Sequence, residues 1–194
     1  MTHPKIAGKD PLGIRLSGTG GQGIVTAGVI LAEAALLDGR NVVQTQSYGP
    51  EARLGASRSE VIISNHKIAY PQVTQPDVLL CMSQDAFRKF ITNVNSDAVA
   101  VLDSTNIEPD ERALPKALDV YALPITATAA ALGSKMVANV VALGAMNALL
   151  GIVSPENLRT AVVRRVPERF RELNERALEA GIELAKTGGR TKVS

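Results

Sequence analysis

Apolar and polar positions along this chain fall into short blocks that switch between a period of two and a period near 3.6. Ile14-Arg15-Leu16-Ser17 alternates like a strand, then breaks into four glycines within six residues, Gly18-Thr19-Gly20-Gly21-Gln22-Gly23. From Gln22 to about Asp38 the apolar positions Ile24, Ala27, Leu31 and Ala35 recur at helical spacing, and Gly39 offers a C-terminal stop. Val42–Gln46 predicts a second strand. Ser57–Ser64 predicts a third, with His66–Tyr70 extending it as a hairpin. Asp77–Met82 predicts a buried strand, after which Ser83 is placed to cap a helix carrying Ala86, Phe87 and Phe90. Ala98–Asp103 and Val120–Leu123 predict further strands, and Pro124 opens an Ala/Thr-rich helix to about Leu132.

The stretch from Met136 to Val153 carries no charge, which brings it near the lower limit for a membrane span. Asn139, Gly144, Asn147 and Gly151 interrupt it, and no aromatic belt marks its ends. It therefore predicts a helix buried within a protein. Ser154-Pro155-Glu156 marks a helix start with a capping hydroxyl, a proline at the first position and an acid in the first turn. A last helix from about Pro167 to Lys186 shows the stripe Phe170, Leu173, Ala177, Ala180 and Leu184. Alternating strands and helices predict an α/β fold, a single Rossmann-like doubly wound domain with a mostly parallel sheet and antiparallel strands added between residues 41 and 70. The expected boundaries are a polar leader at 1–13, one domain at 14–187 and a flexible tail at 188–194.

Composition narrows the function. A chain of 194 residues with 45% hydrophobic and 21% charged residues has room for one compact core. A formal charge of +2, 3% aromatic residues and no Trp argue against a nucleic-acid partner. The single cysteine, Cys81, rules out an internal disulfide, a Cys-ligated zinc site and a self-contained iron–sulfur cluster. It sits in the apolar run Val78-Leu79-Leu80-Cys81-Met82, as a core thiol does. The N-terminus lacks the apolar core of a signal peptide, so a cytoplasmic location is expected.

The glycine turn is the chemical centre of the sequence. Glycine lets a ligand approach bare backbone, and the first amides of the following helix have no internal partner. The helix dipole adds partial positive charge there, so a phosphate, pyrophosphate or carboxylate fits. Gly18-x-Gly20-x-x-Gly23 also matches the dinucleotide fingerprint, but the second strand brings no Asp or Glu for a ribose, and Asp38 precedes it. Tight strand–helix packing alone would also explain the glycines. The loop Ser47-Tyr48-Gly49-Pro50-Glu51-Ala52-Arg53-Leu54-Gly55-Ala56 leaves a strand expected to lie beside the first. Its Tyr48, Glu51 and Arg53 read either as a solvated turn or as a wall of the same site.

Other chemistry lacks support. No Ser/His/Asp or Cys/His arrangement, P-loop lysine or acidic cluster is evident, and His3 and His66 stand apart from other ligand-type residues. No catalytic residue and no metal ligand is expected on this chain. An anion cradle without acid–base groups suits a binding subunit, with surface lost to partners.

Several motifs in order resemble the gamma subunit, or gamma domain, of 2-oxoacid:ferredoxin oxidoreductases, the enzymes acting on pyruvate, 2-oxoglutarate or ketoisovalerate. They are Gly18–Gly23, Ser47–Arg53, Val61-Ile62-Ile63-Ser64, Tyr70-Pro71-Gln72-Val73 and Pro76-Asp77-Val78-Leu79-Leu80, then Ala138–Ala145 and Glu172–Ala177. The resemblance covers roughly residues 14–186. One departure stands out, since the family commonly has Arg-Gly-Gly where this chain has Arg53-Leu54-Gly55.

The resemblance implies a cytoplasmic hetero-oligomer that oxidatively decarboxylates a 2-oxoacid to acyl-CoA, with 2-oxoglutarate to succinyl-CoA the preferred reaction. Thiamine diphosphate, magnesium and iron–sulfur clusters would lie on alpha and beta partners, with or without a delta subunit, and electrons would pass to ferredoxin. This chain would hold none of those cofactors. It would help bind the co-substrate coenzyme A through Gly18, Thr19, Gly20, Gly21, Gln22 and Gly23, with Tyr48 and Arg53. Competing readings are a stand-alone Rossmann-type oxidoreductase using a nucleotide cofactor, and a purely structural subunit. Neither nucleic acid nor membrane enters any of these readings.

Overall fold

The computed structural model describes residues 2–47, 56–110, 112 and 114–187, together with the backbone of 190–191. Seven strands form one mixed sheet: β1 (Leu12–Gly18), β2 (Asn41–Ser47), β3 (Ser57–Ser64), β4 (Val78–Cys81), β5 (Val99–Asp103), β6 (Asp119–Leu123) and β7 (Arg190–Thr191). Their spatial order is β2-β3-β1-β4-β5-β6-β7. Neighbours from β1 through β6 pair parallel, whereas β3 is antiparallel to both β1 and β2, and β7 to β6. The helices are α1 (Ile24–Leu37), α2 (Gln84–Phe90), α3 (Ile125–Ala131), α4 (Ala138–Leu150), α5 (Pro155–Arg165) and α6 (Arg171–Thr187).

The central strands are buried on both faces, so each feeds two cores in alternation. Val78 and Leu80 of β4 join Ile14, Leu16, Val61 and Ile63 beneath α1 and α4. Leu79 and Cys81 face the other way, into a second core with Ala86, Phe87 and Phe90 of α2. The predicted cap is present, with Ser83 Oγ accepting from Ala86 N–H. Ser154 caps α5 in the same manner, with Pro155 in the first turn.

The uncharged stretch forms α4, sheltered by α3, α5 and α6, and most of its length is buried. Among the described residues no helix is long and apolar enough to cross a membrane. The α4–α6 crossing is close because glycines face it. A Cβ on Gly181 would sit 2.9 Å from Ala145 N, and one on Gly144 would lie 3.3 Å from the Leu178 carbonyl carbon.

Four expectations need correction. Residues 66–70 form no strand, because β3 ends at Ser64 and β1 and β2 already occupy both of its edges. The buried stripe of α6 is Asn174, Ala177, Leu178 and Gly181, the side that meets α4, while Phe170 is 42% exposed. β2 is not adjacent to β1, since β3 inserts between them. His3 does not stand apart: its Nε2 lies 3.1 Å from Tyr121 Oη and 3.6 Å from Asp119.

The described part of 1–13 packs on the domain. His3 N–H donates to Leu150 O, Ile6 is buried, and Lys5 Nζ sits 2.8 Å from Asp119. Lys9 bridges Asp77 at 2.7 Å and Asp97 at 2.9 Å. Burial pushes the Lys9 ammonium down, but these two carboxylates outweigh it and hold its pKa above the ordinary value.

Candidate functional site

The glycine turn leaves the C-terminal end of β1 and enters α1, the place where open α/β sheets meet ligands. Gly23 precedes the first helical residue with φ +71°, and Gly21 has φ +89°, conformations that a side chain resists. Gly20 and Gly21 are exposed, and a Cβ on either would meet nothing within 4 Å. The crest of the turn therefore faces open space.

Gln22 holds this shape. Its Oε1 accepts from Thr19 N–H at 2.7 Å, and its Nε2 donates to Met82 O at 3.0 Å. The carboxamide fills the space beside Gly18, where an added Cβ would collide with Oε1. Both polar ends of Gln22, and the Thr19 amide, are thus engaged within the protein. Among the described residues no acceptor meets the N–H of Gly20, Gly21 or Gly23. These three amides, with the first turn of α1, are the donors available to an anion.

Two supports of the turn escaped the sequence reading. Asn139, at the start of α4, donates from Nδ2 to Gly23 O at 3.2 Å. Asn106 Nδ2 reaches the same Met82 carbonyl as Gln22, at 3.3 Å, and also Asp103 Oδ2 at 2.8 Å. Asp103 is fully buried at the end of β5 and accepts from the amides of Thr105 and Thr126. The ends of β1, β4 and β5 are tied together through these side chains. Asp103-x-x-Asn106 directly after a strand is a turn signal that could have drawn attention to it.

Tyr48, Glu51, Arg53 and Leu54 lie outside the described residues. The strands that flank them are in place: Ser47 pairs with Arg58, and Ser57 pairs with Gly18 at the mouth of the turn. Asp38 is not near the turn. It ends α1 at the far side of the molecule, where it accepts from Ser154 N–H at 2.8 Å and Asn157 Nδ2 at 2.7 Å. Burial raises the Asp38 carboxyl, but the bonds from Ser154 and Asn157 outweigh it and leave the pKa below the ordinary value. With β3 occupying the place beside β1, no acid among the described residues follows the turn as a ribose ligand.

The remaining chemistry is quiet. Cys81 is buried, and desolvation pushes its thiol up to about 12, which leaves no thiolate near neutral pH. Among the described residues no group of His, Cys, Asp and Glu could hold a metal ion. The arrangement can receive an anion on backbone amides; among the described residues it offers no evident base or nucleophile.

Known proteins match this architecture. The family model for pyruvate ferredoxin/flavodoxin oxidoreductase matches residues 13–184. The chain is similar to 2-oxoglutarate synthase subunit KorC of Methanocaldococcus jannaschii, with 45% identity over 89% of this chain and 93% of that protein. Among solved structures, it resembles the gamma subunit of a keto/oxoacid ferredoxin oxidoreductase from Geobacter sulfurreducens. The TM-score is 0.83 at 44% identity, over 94% of this chain and 100% of that one. It also resembles 2-oxoglutarate:ferredoxin oxidoreductase from Magnetococcus marinus, solved with 2-oxoglutarate, coenzyme A and succinyl-CoA bound. There the TM-score is 0.85 at 26% identity, over 94% of this chain and 32% of that one.

Proposed function

The chain belongs to the pyruvate ferredoxin/flavodoxin oxidoreductase family, and we propose that it serves as the coenzyme A-binding gamma subunit of a 2-oxoglutarate:ferredoxin oxidoreductase. The reaction assigned to the complex is oxidative decarboxylation of 2-oxoglutarate to succinyl-CoA. Alpha and beta partners, with or without delta, carry thiamine diphosphate, magnesium and iron–sulfur clusters, and ferredoxin takes the electrons. The likeness to 2-oxoglutarate synthase subunits along most of their length supports this substrate. A cytoplasmic location follows from the same reading.

One observation carries the assignment: the amides of Gly20, Gly21 and Gly23, at a helix start whose turn is open at Gly20 and Gly21, meet no acceptor among the described residues. They are set to receive the coenzyme's phosphates, with Thr19 and Gln22 as the brace and Gly18 as the space that the brace requires. Tyr48 and Arg53 are proposed to help fix the coenzyme's position; they fall in sequence between Ser47 and Ser57, outside the described residues. The subunit's contribution is to bind and orient the coenzyme so that its thiol reaches an acyl group held by a partner.

Replacing Gly20 by Val tests this. Gly20 lacks a positive φ and has open space around it, so the fold has no reason to object. In the purified complex the variant is expected to raise KM for coenzyme A about tenfold or more, the equivalent of one lost anion contact. KM for 2-oxoglutarate should stay unchanged. An unaltered coenzyme A dependence would remove the assignment.

A further inference from the structure

Among the described residues, Leu36, Tyr70, Met136 and Phe170 are the large apolar side chains left in water. Met136 is 86% exposed and Phe170 42%, and these two share one pocket. It lies between α1, the start of α4 and the start of α6, with Ile30, Val140 and Leu173 in its wall. Asn139 belongs to the same wall and donates to Gly23 O, so the pocket abuts the glycine turn.

Its size and chemistry limit what can enter. The pocket holds about 180 Å³. Small-molecule sites run to roughly 300–1,000 Å³, whereas a cavity of about 150 Å³ admits one benzene ring. A single side chain fits; a nucleotide does not. The polar groups of the wall are already spent: Asn139 Oδ1 accepts from Val140 N–H, Ser134 Oγ accepts from Met136 N–H, and Asn174 Nδ2 donates to Phe170 O. What remains on offer is apolar surface, and such surface with a polar border marks a protein contact. Two cations stand at this border. Arg169 holds its guanidinium 4.7 Å from the centroid of the Phe170 ring, and Lys135 lies in sequence between two residues of the wall. Neither meets a carboxylate among the described residues; the neighbouring Glu168 lies 3.8 Å from Arg171.

The missing chemistry says which protein. A second copy seated here would leave the coenzyme without the acyl group it needs, since this chain offers no evident base or nucleophile among the described residues. The polypeptide that holds the acyl group must border the turn. In the Magnetococcus marinus enzyme the likeness spans 32% of that chain, so there the same fold is joined to further polypeptide. We propose that the pocket seats a knob from the subunit that carries the acyl group: one apolar side chain between Met136 and Phe170, with a carboxylate beside it facing Arg169 or Lys135. This rests on the assignment of coenzyme A to the glycine turn. Asn139 then serves both sites, because it walls the pocket and holds Gly23.

The test is assembly, read without coenzyme by mass photometry of the purified complex on dilution. Met136→Glu with Phe170→Glu is expected to raise the dissociation constant of this chain from the remaining subunits about tenfold or more. Met136→Glu alone, at so exposed a position, should give part of the same loss without any burden on folding. Leu36→Glu, 58% exposed near the far end of α1, should leave assembly unchanged.

A double variant that assembles as tightly as the wild type overturns the inference. So does a Leu36→Glu variant that weakens assembly equally, because added charge alone would then be the cause. Loss of self-association of this chain with the complex intact would give the face to a second copy, and overturns it too. If Gly20→Val raises KM for coenzyme A while the Met136 and Phe170 variants assemble normally, the turn stands and the docking face falls. If Gly20→Val has no effect, the underlying assignment falls first.

Discussion

The two faces of the β1–β3 pair are built from neighbouring residues and do opposite work. Toward α1 stand Ile14, Leu16, Val61 and Ile63, all fully buried and apolar. Toward a groove on the other face stand Arg15, Arg58 and Glu60, one position along in each strand, with Arg15 Nη2 2.8 Å from Glu60 Oε1. The first face contributes stability through burial, at roughly 25 cal/mol per Å² of apolar surface. The second contains charge that must be paired where water is scarce. A strand period of two thus separates an apolar face that holds the fold from a charged face that lines a groove.

The sharpest way to break this contrast is to strip one partner from the charged face. Glu60→Ala leaves Arg15 buried without its carboxylate and should cost about 3–5 kcal/mol, read from denaturant melts. Removing both partners, as Arg15→Met with Glu60→Met, should cost far less than the single change. A double variant as damaged as the single one would mean that the pair holds the fold as the apolar face does.

On that apolar face, Leu16→Ala should cost about 2–5 kcal/mol and leave KM for coenzyme A in the assembled complex unchanged. At the turn, Gln22→Ala removes the brace and should raise KM for coenzyme A several-fold, with about 1 kcal/mol lost in stability from two hydrogen bonds. A loss of stability without any change in KM would make the brace purely structural.

The smallest effect lies far from both faces, at Asp38. Its pKa is lowered in the folded state, so its contribution is present above the unfolded value near 4 and is lost as pH falls through the folded value. Asp38→Asn should therefore flatten the decline in stability as pH falls below about 4, while lowering stability near neutrality by about 1 kcal/mol. A variant whose acid profile matched the wild type would show that Asp38 does not set this slope.

Much of the architecture was readable because single elements carry their own signals. The glycine turn, the Ser83 and Ser154 caps and the buried α4 follow from local residue chemistry, and all four are present. The position of β3 between β1 and β2 was not readable, because strand order depends on pairing between distant segments that periodicity does not encode. The stripe of α6 was misjudged for a related reason. Phe170 fits the helical period, but the glycines at 144 and 181 decide which side approaches α4.

At the site, the backbone donors were legible and their supports were not. Gln22 was expected to touch ligand, yet its two ends are spent inside the turn, a geometry that emerges only when Met82 is brought alongside. Asn106 and Asn139 arrive from elements remote in sequence, each with an amide that reads on paper as an ordinary polar residue. Met136 and Phe170 belong to the same class, since only the fold brings them to one pocket.

The region around β6 has a practical side. Lys5 is anchored to Asp119, and residues 190–191 pair with 120–121, so a segment from early in the chain and one from late in it both touch this strand. Along the sheet, β6 stands about 24 Å from β2 at the usual strand spacing. A polypeptide joined after β7 would start from the border of the sheet opposite β2. Such a fusion should leave the glycine turn at the end of β1 accessible.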